Sequence, residues 1–245
     1  MRRVQRTMKE SDYPKQFLLD IFMPNRCPFC GRVIAWNRLS CEKCISEVEW
    51  YNTGDGCKRC AKKLCICDDD YCVDKVFTTC YYKGIVKNGT LNLKVNKGIN
   101  LAEIYAIKLN SAMLENGYDF SAEIITAVPM NKHKKRINGY NHAEEIGRAL
   151  SDRLNIPYSD KLLVRVSNDR AQHSLKSEDR RAAVIGLYEL YKNADVAGKR
   201  IILCDDVYTT GSTVNECARI LKEGGAESVI AAVGATTELE QKTGN

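Results

Sequence analysis

The chain has 245 residues, 44% of them apolar, and a formal net charge of +6. That size and composition suit one large or two small domains with a hydrophobic core, and no run approaches the roughly 20 apolar residues a membrane-crossing helix needs. The positive charge is too mild to point by itself to a polyanion partner.

The first 23 residues are basic, and their apolar stretch at 17–23 is interrupted by Asp20. This is too short and too charged for a secretory signal. It reads as an amphipathic helix over 14–23, and the expected location is cytoplasmic, without membrane insertion. Twelve cysteines follow a sharp pattern: ten lie between Cys27 and Cys80, and only Cys204 and Cys217 lie beyond. Such clustering marks a module over residues 1–75, with a second domain over 76–245. Without an export signal, metal is expected rather than disulfides.

Two CxxC pairs, Cys27/Cys30 and Cys41/Cys44, match a four-thiolate structural zinc knuckle. In the second group Cys57 and Cys60 form a CxxC pair, and Cys65, Cys67 and Cys72 compete for the two remaining places. Cys67 and Cys72 are the expected ligands, since Cys65 follows Cys60 closely. Cys80 lies in a strand-like run and reads as a buried thiol. Residues 1–80 carry a formal +3 that two zinc ions on eight thiolates turn to −1. Nucleic acid would therefore need a local patch: Arg2, Arg3 and Arg6, or Lys58, Arg59, Lys62 and Lys63. Trp36, Trp50 and Tyr51 are candidates for base stacking or for a small core.

From about Val76 strands alternate with helices. Residues 76–87 read as a strand and its exit, with a turn at Asn88-Gly89. Residues 101–115 have helical apolar spacing, and 124–128 form a short buried strand ending at Pro129. A basic loop with Lys132, His133, Lys134, Lys135 and Arg136 comes next, its cations suited to a pyrophosphate. A helix is expected over 142–154. Residues 165–188 are polar and basic, as a closing lid would be. The strand 201–204 leads to Asp205 and Asp206, a loop of Thr209, Thr210, Gly211, Ser212 and Thr213, and a helix over 214–222. After Gly224-Gly225 a last strand covers 228–233. This alternation implies a parallel α/β sheet flanked by helices.

The most informative stretch is 201–214. Ionised Asp205 and Asp206 accept hydrogen bonds and suit the hydroxyls of a ribose. Hydroxyls, a close-approach glycine and a helix N-terminus suit its phosphate. The segment resembles the phosphoribosyl pyrophosphate (PRPP) motif of type I phosphoribosyltransferases. With the cysteine module, Val128-Pro129, the Arg-x-x-Gly-Tyr-Asn run at 136–141, the segment from Arg165 to Gln172, Leu175, and Arg180 or Arg181, the chain resembles the ComF family over nearly its whole length. It departs from that family at His142, at Asn138 and in the spacing after Cys72.

The resemblance implies a type I phosphoribosyltransferase-like fold behind a zinc-ribbon module. It also implies PRPP bound with Mg²⁺: Asp205 and Asp206 on the ribose, Thr209 to Thr213 on the 5′-phosphate, and Pro129, Lys132 and Arg136 by the pyrophosphate. The implied partners are single-stranded DNA and proteins of a DNA-uptake machinery, in natural competence. Two other expectations are an active phosphoribosyltransferase with an unidentified acceptor, and a zinc-ribbon adaptor with a relic transferase domain.

Overall fold

The computed structural model describes residues 24–52, 54–91, 95–166 and 184–238. The expected helix over 14–23, the cations Arg2, Arg3 and Arg6, and most of the polar stretch over 165–188 lie outside the described residues. In chain order the elements are α1 (Glu42–Ser46), β1 (Lys75–Tyr81), α2 (Gly84–Leu91), α3 (Val95–Glu115), β2 (Ile124–Ala127), α4 (Lys132–Asn138), α5 (His142–Leu154), β3 (Leu163–Arg165), β4 (Tyr188–Leu190), β5 (Arg200–Tyr208), α6 (Ser212–Glu223) and β6 (Ser228–Thr236).

Four strands form the main sheet in the order β1-β6-β5-β2, and every pair in it is parallel. The near-continuous apolar runs of β5 and β6 fit strands covered on both faces. On one face, α3 and α5 pack over Phe77, Ile125 and Ile202, and the first cysteine group joins this core through Cys27, Phe29, Leu39 and Val48. On the other face α6 packs over Leu203, Val229 and Val233, joined by Cys60, Ala61, Tyr71 and Val73 of the second group. The chain between the two groups runs along the outer edge of β1. Tyr51 N–H donates to Thr79 O at 2.9 Å, and Tyr81 N–H donates to Glu49 O at 2.9 Å. The cysteine region therefore straddles the sheet edge and satisfies backbone groups that an open edge would expose.

The α/β class and most elements match the sequence expectation, and four local features differ. Asn88-Gly89 lies inside α2 and not in a turn. A Cβ on Gly89 would sit 3.1 to 3.2 Å from Phe29 and Pro28, so this glycine lets α2 approach the first knuckle. The basic loop after Pro129 contains helix α4, which the Asn131 side chain caps by accepting from the N–H of His133 and Lys134. The ends of the polar stretch form a small antiparallel pair, β3 with β4. Finally, β5 continues past the two acids to Tyr208, because residues 205, 207 and 208 remain in register with Val233, Ala235 and Thr236 of β6.

Candidate functional site

The carboxyl ends of β5 and β2 and the N-terminus of α6 meet at one end of the sheet, where open α/β sheets present ligand sites. Gly211 takes the left-handed conformation, φ +79°, at the start of α6. Gly211 at the N-cap offers no capping side chain, and the Ser212 N–H reaches only the Thr210 hydroxyl at 3.5 Å, whereas Asn131 and Asn141 cap α4 and α5. Donors at the start of α6 are thus left for an anion. Thr210 and Ser212 hydroxyls bond each other at 2.9 Å. Thr210, Gly211 and Ser212 also line a cleft of about 490 Å³ with Tyr71, Cys72 and Asn215.

The two acids have different surroundings. Asp205 raises the thiol of Cys217 on α6 and the phenol of Tyr188 on β4 through its charge, after the larger effect of burial on each. Asp206 acts in the same secondary way on Tyr82, Tyr105 and Tyr140 across the sheet. Asp205 keeps some exposed surface but its carboxyl is enclosed. Burial first, then the neighbouring Asp206 charge, pushes it well above the usual carboxylate range. Two carboxyl groups with different surroundings thus sit side by side beneath the loop.

The run at 136–141 closes the site on its other side. Gly139 ends α4 with φ +82°. Asn141 is buried and caps α5 through Ala143 N–H at 3.1 Å, while its amide donates to Val128 O at 2.9 Å. This ties the end of β2, and Pro129 after it, to the start of α5. Tyr140 packs edge-on against His142, with ring centroids 4.7 Å apart. The Tyr140 hydroxyl is buried with no partner among the described residues. Burial, then Glu145 and Asp206, push its phenol to about 12. Burial lowers His142, against the pull of Asp206. Lys132 and Arg136 stand exposed on α4. Lys135 turns away to Glu144 at 2.7 Å.

The cysteines form two groups of four thiols, Cys27, Cys30, Cys41 and Cys44, and Cys57, Cys60, Cys65 and Cys67, with all sulfurs in each within 4.8 Å. Four thiolates about 2.3 Å from a zinc ion lie about 3.8 Å from one another. The separations are 3.9 Å for Cys30–Cys41, 4.0 Å for Cys57–Cys67 and Cys60–Cys65, and 3.4 Å for Cys57–Cys65. Both sets therefore fit structural zinc in donor type and spacing. The knuckles repeat one backbone scheme. Cys27 N–H donates to Arg32 O and Gly31 N–H to Cys27 O; Cys57 N–H donates to Lys62 O and Ala61 N–H to Cys57 O, all at 2.8 to 2.9 Å. Gly31 and Ala61 both have positive φ.

Cys72 does not join the second group, and Cys65 takes the place expected for it. The reason is a tertiary contact. Cys72 N–H donates to Asn215 Oδ1 on α6 at 2.7 Å, and its thiol lies 3.4 Å from Asp70 O. Asn215 thus holds this segment against α6. The proposed nucleic-acid patch also changes. Lys62 is 1% exposed, and Arg59 donates to Val73 O and Tyr71 O at 2.9 and 2.7 Å. Trp50 lies under Lys108, 4.3 Å from its ring centroid, and Tyr51 packs on Tyr81 at 5.7 Å. These groups serve the fold. Nothing in the sequence singles out Lys62 or Tyr71, whose hydroxyl bonds that of Tyr208 at 2.7 Å.

The double zinc ribbon domain family matches residues 18–76, and the phosphoribosyl transferase domain family matches residues 141–242. The chain is 33% identical to "Competence protein F" of Haemophilus influenzae over 108 residues, 44% of this chain and 47% of the relative. It is 30% identical to "DNA utilization protein YhgH" of Escherichia coli K12 over 105 residues, 43% and 45% of the two chains. It is 31% identical to "Competence protein ComFC" of Bacillus subtilis over 107 residues, 43% and 41%. The match thus spans about half the length of these relatives or less. Among solved structures, a purine phosphoribosyltransferase from Pyrococcus horikoshii is 18% identical, with 58% of this chain and 78% of that one covered and a TM-score of 0.34. No helix among the described residues is long and apolar enough to cross a membrane.

Proposed function

Because the chain belongs to the ComF family, we propose that it binds PRPP with Mg²⁺ at the carboxyl end of β5 and supports the handling of single-stranded DNA in natural competence. The observation that carries the first half is the glycine-capped start of α6, which follows Asp205 and Asp206 after the end of β5 and a short hydroxyl-rich loop. The competence and DNA-utilization names of the relatives support the second half.

In this reading Asp205 and Asp206 accept from the ribose hydroxyls. Thr209, Thr210, Ser212 and Thr213 and the N–H groups beside them hold the 5′-phosphate, and Gly211 lets the backbone approach it. Pro129 shapes the exit of β2, and Lys132 and Arg136 offer exposed cations to the pyrophosphate. The oxygen donors of the acid pair and the ligand's phosphates suit Mg²⁺, which when bound neutralises phosphate charge. The raised carboxyl of Asp205 gives up its proton as the cationic and hydroxyl partners arrive.

Pyrophosphate release from PRPP and Mg²⁺, measured with and without single-stranded DNA, tests the assignment. Saturable PRPP binding without release supports a ligand-binding role. Release that depends on an added acceptor makes the protein a phosphoribosyltransferase, with breakage of the C1′ bond aided by charge stabilisation of the leaving group. Absence of PRPP binding refutes the proposal and leaves an adaptor built on the two knuckles.

A further inference from the structure

The second cysteine knuckle reaches the loop at residues 209–213 through one buried side chain. Lys62 lies between Cys60 and Cys65, and its backbone carbonyl accepts from Cys57 N–H at 2.9 Å. Its ammonium donates to Tyr208 O at 2.9 Å, Thr236 Oγ1 at 2.9 Å and Thr237 O at 2.8 Å. Its three donors meet three acceptors at 2.8 to 2.9 Å, with Thr237 Oγ1 a longer fourth contact at 3.4 Å, so the group is fully satisfied. All three acceptors lie where β5 and β6 end. Tyr208 is the last residue before the loop, and its carbonyl also accepts from Thr237 N–H at 3.1 Å. The Lys62 ammonium further sits 4.6 Å from the centroid of the Tyr208 ring. That ring supports Gly211: a Cβ there would lie 2.7 Å from the Tyr208 hydroxyl. No carboxylate pairs with Lys62 among the described residues. A buried ammonium with no carboxylate partner is expensive, which makes a purely decorative role a poor account of it.

Two other links run between the same partners. Tyr71 bonds the Tyr208 hydroxyl, and Asn215 in the first turn of α6 accepts from Cys72 N–H and donates to Asp70 O at 3.1 Å. The knuckle and the segment after it therefore hold the loop from beneath and from the helix side. Gly56 makes this approach feasible, since a Cβ there would lie 2.8 Å from the Lys62 carbonyl carbon.

We propose that Lys62 is a positioning residue for the phosphate loop: from the second knuckle it fixes the carbonyls where β5 and β6 end, and so sets the geometry in which residues 209–213 meet an anion. This rests on the reading of 209–213 as the PRPP phosphate loop. It couples the folding of a zinc knuckle to ligand affinity some 150 residues further along the chain.

The test compares PRPP affinity, with Mg²⁺ present, for the zinc-loaded wild type, Lys62→Met and Lys63→Met. Lys63 is next in sequence but faces solvent, paired with Glu238 at 2.5 Å. Lys62→Met should bind PRPP at least about tenfold more weakly, as expected for a small misplacement of binding groups, with its zinc content unchanged. Lys63→Met should match the wild type. Equal affinity in a folded, zinc-replete Lys62→Met overturns the proposal while leaving the loop assignment intact. No binding by the wild type overturns the loop assignment and this inference with it. If Lys62→Met does not fold, Thr236→Val decides. It removes one of the three acceptors in a residue shape that suits a strand; weaker PRPP binding with full zinc content supports the role, and unchanged affinity overturns it.

Discussion

Replacing Gly211 by alanine probes the loop and its support together. The residue has φ +79°, a region in which a Cβ costs roughly 1–2 kcal/mol. The new methyl would also lie 2.7 Å from the Tyr208 hydroxyl and 2.9 Å from two of its ring carbons. Tyr208 is 1% exposed and held by Tyr71, so the ring cannot easily withdraw. Overpacking of this kind costs about 1–3 kcal/mol. The sum is roughly 2–5 kcal/mol, or a fall in Tm of roughly 4–20 °C for a chain of this size. The assay is thermal unfolding of the zinc-loaded protein, run as a double-mutant cycle with Tyr208→Phe. That second change alone leaves the buried Tyr71 hydroxyl without its partner and costs about 1–3 kcal/mol. Together the two changes should cost about 1 kcal/mol less than their sum, because the phenyl ring is released to move. A Gly211→Ala protein within about 1 °C of the wild type, or strict additivity in the cycle, would refute the described packing.

Cys65→Ser should reduce zinc content from two ions per chain to one, whereas Cys72→Ser should retain both; metal analysis giving the opposite pattern contradicts the second tetrahedron. Asn141→Ala removes the α5 cap and leaves Val128 O unsatisfied, which should cost about 1–3 kcal/mol in chemical denaturation; an unchanged midpoint speaks against that link. Asp205 supplies a pH prediction. Its folded carboxyl titrates above its unfolded value, so the protonated form is favoured by folding. That stability is full below the unfolded value near 3.8 and is lost as pH rises through the folded one. Asp205→Asn should therefore raise Tm near neutral pH, with a gap that shrinks toward pH 4. A variant less stable than the wild type at every pH would show that the carboxyl is not enclosed as described.

The helix over residues 142–154 was legible because its cap, apolar spacing and end all lie in local sequence. The acid pair and the glycine-hydroxyl loop were legible because their order is itself the signal. Features set by tertiary contact were hidden. β5 continues through two residues with poor strand propensity because β6 pairs with it there, a case of partner strands overriding local preference. Gly89 reads as a turn residue until Phe29 is placed against it. The second knuckle repeats the first, but Ala61 stands at the positive-φ position that Gly31 fills, and this masks the repeat. Spacing alone favoured Cys72 over Cys65, and only Asn215, far along the chain, decides otherwise. Lys62 resembles its neighbours Lys58 and Lys63 in sequence, and its role follows from three acceptors contributed by residues 208, 236 and 237.

The central claim is tested most directly by calorimetric titration of PRPP with Mg²⁺ into the zinc-loaded wild type and into the Asp205→Asn, Asp206→Asn double variant. The account predicts saturable one-to-one binding by the wild type, and its loss in a double variant that keeps its fold and both zinc ions. Equal affinity in the two proteins, or no binding by the wild type, would contradict it.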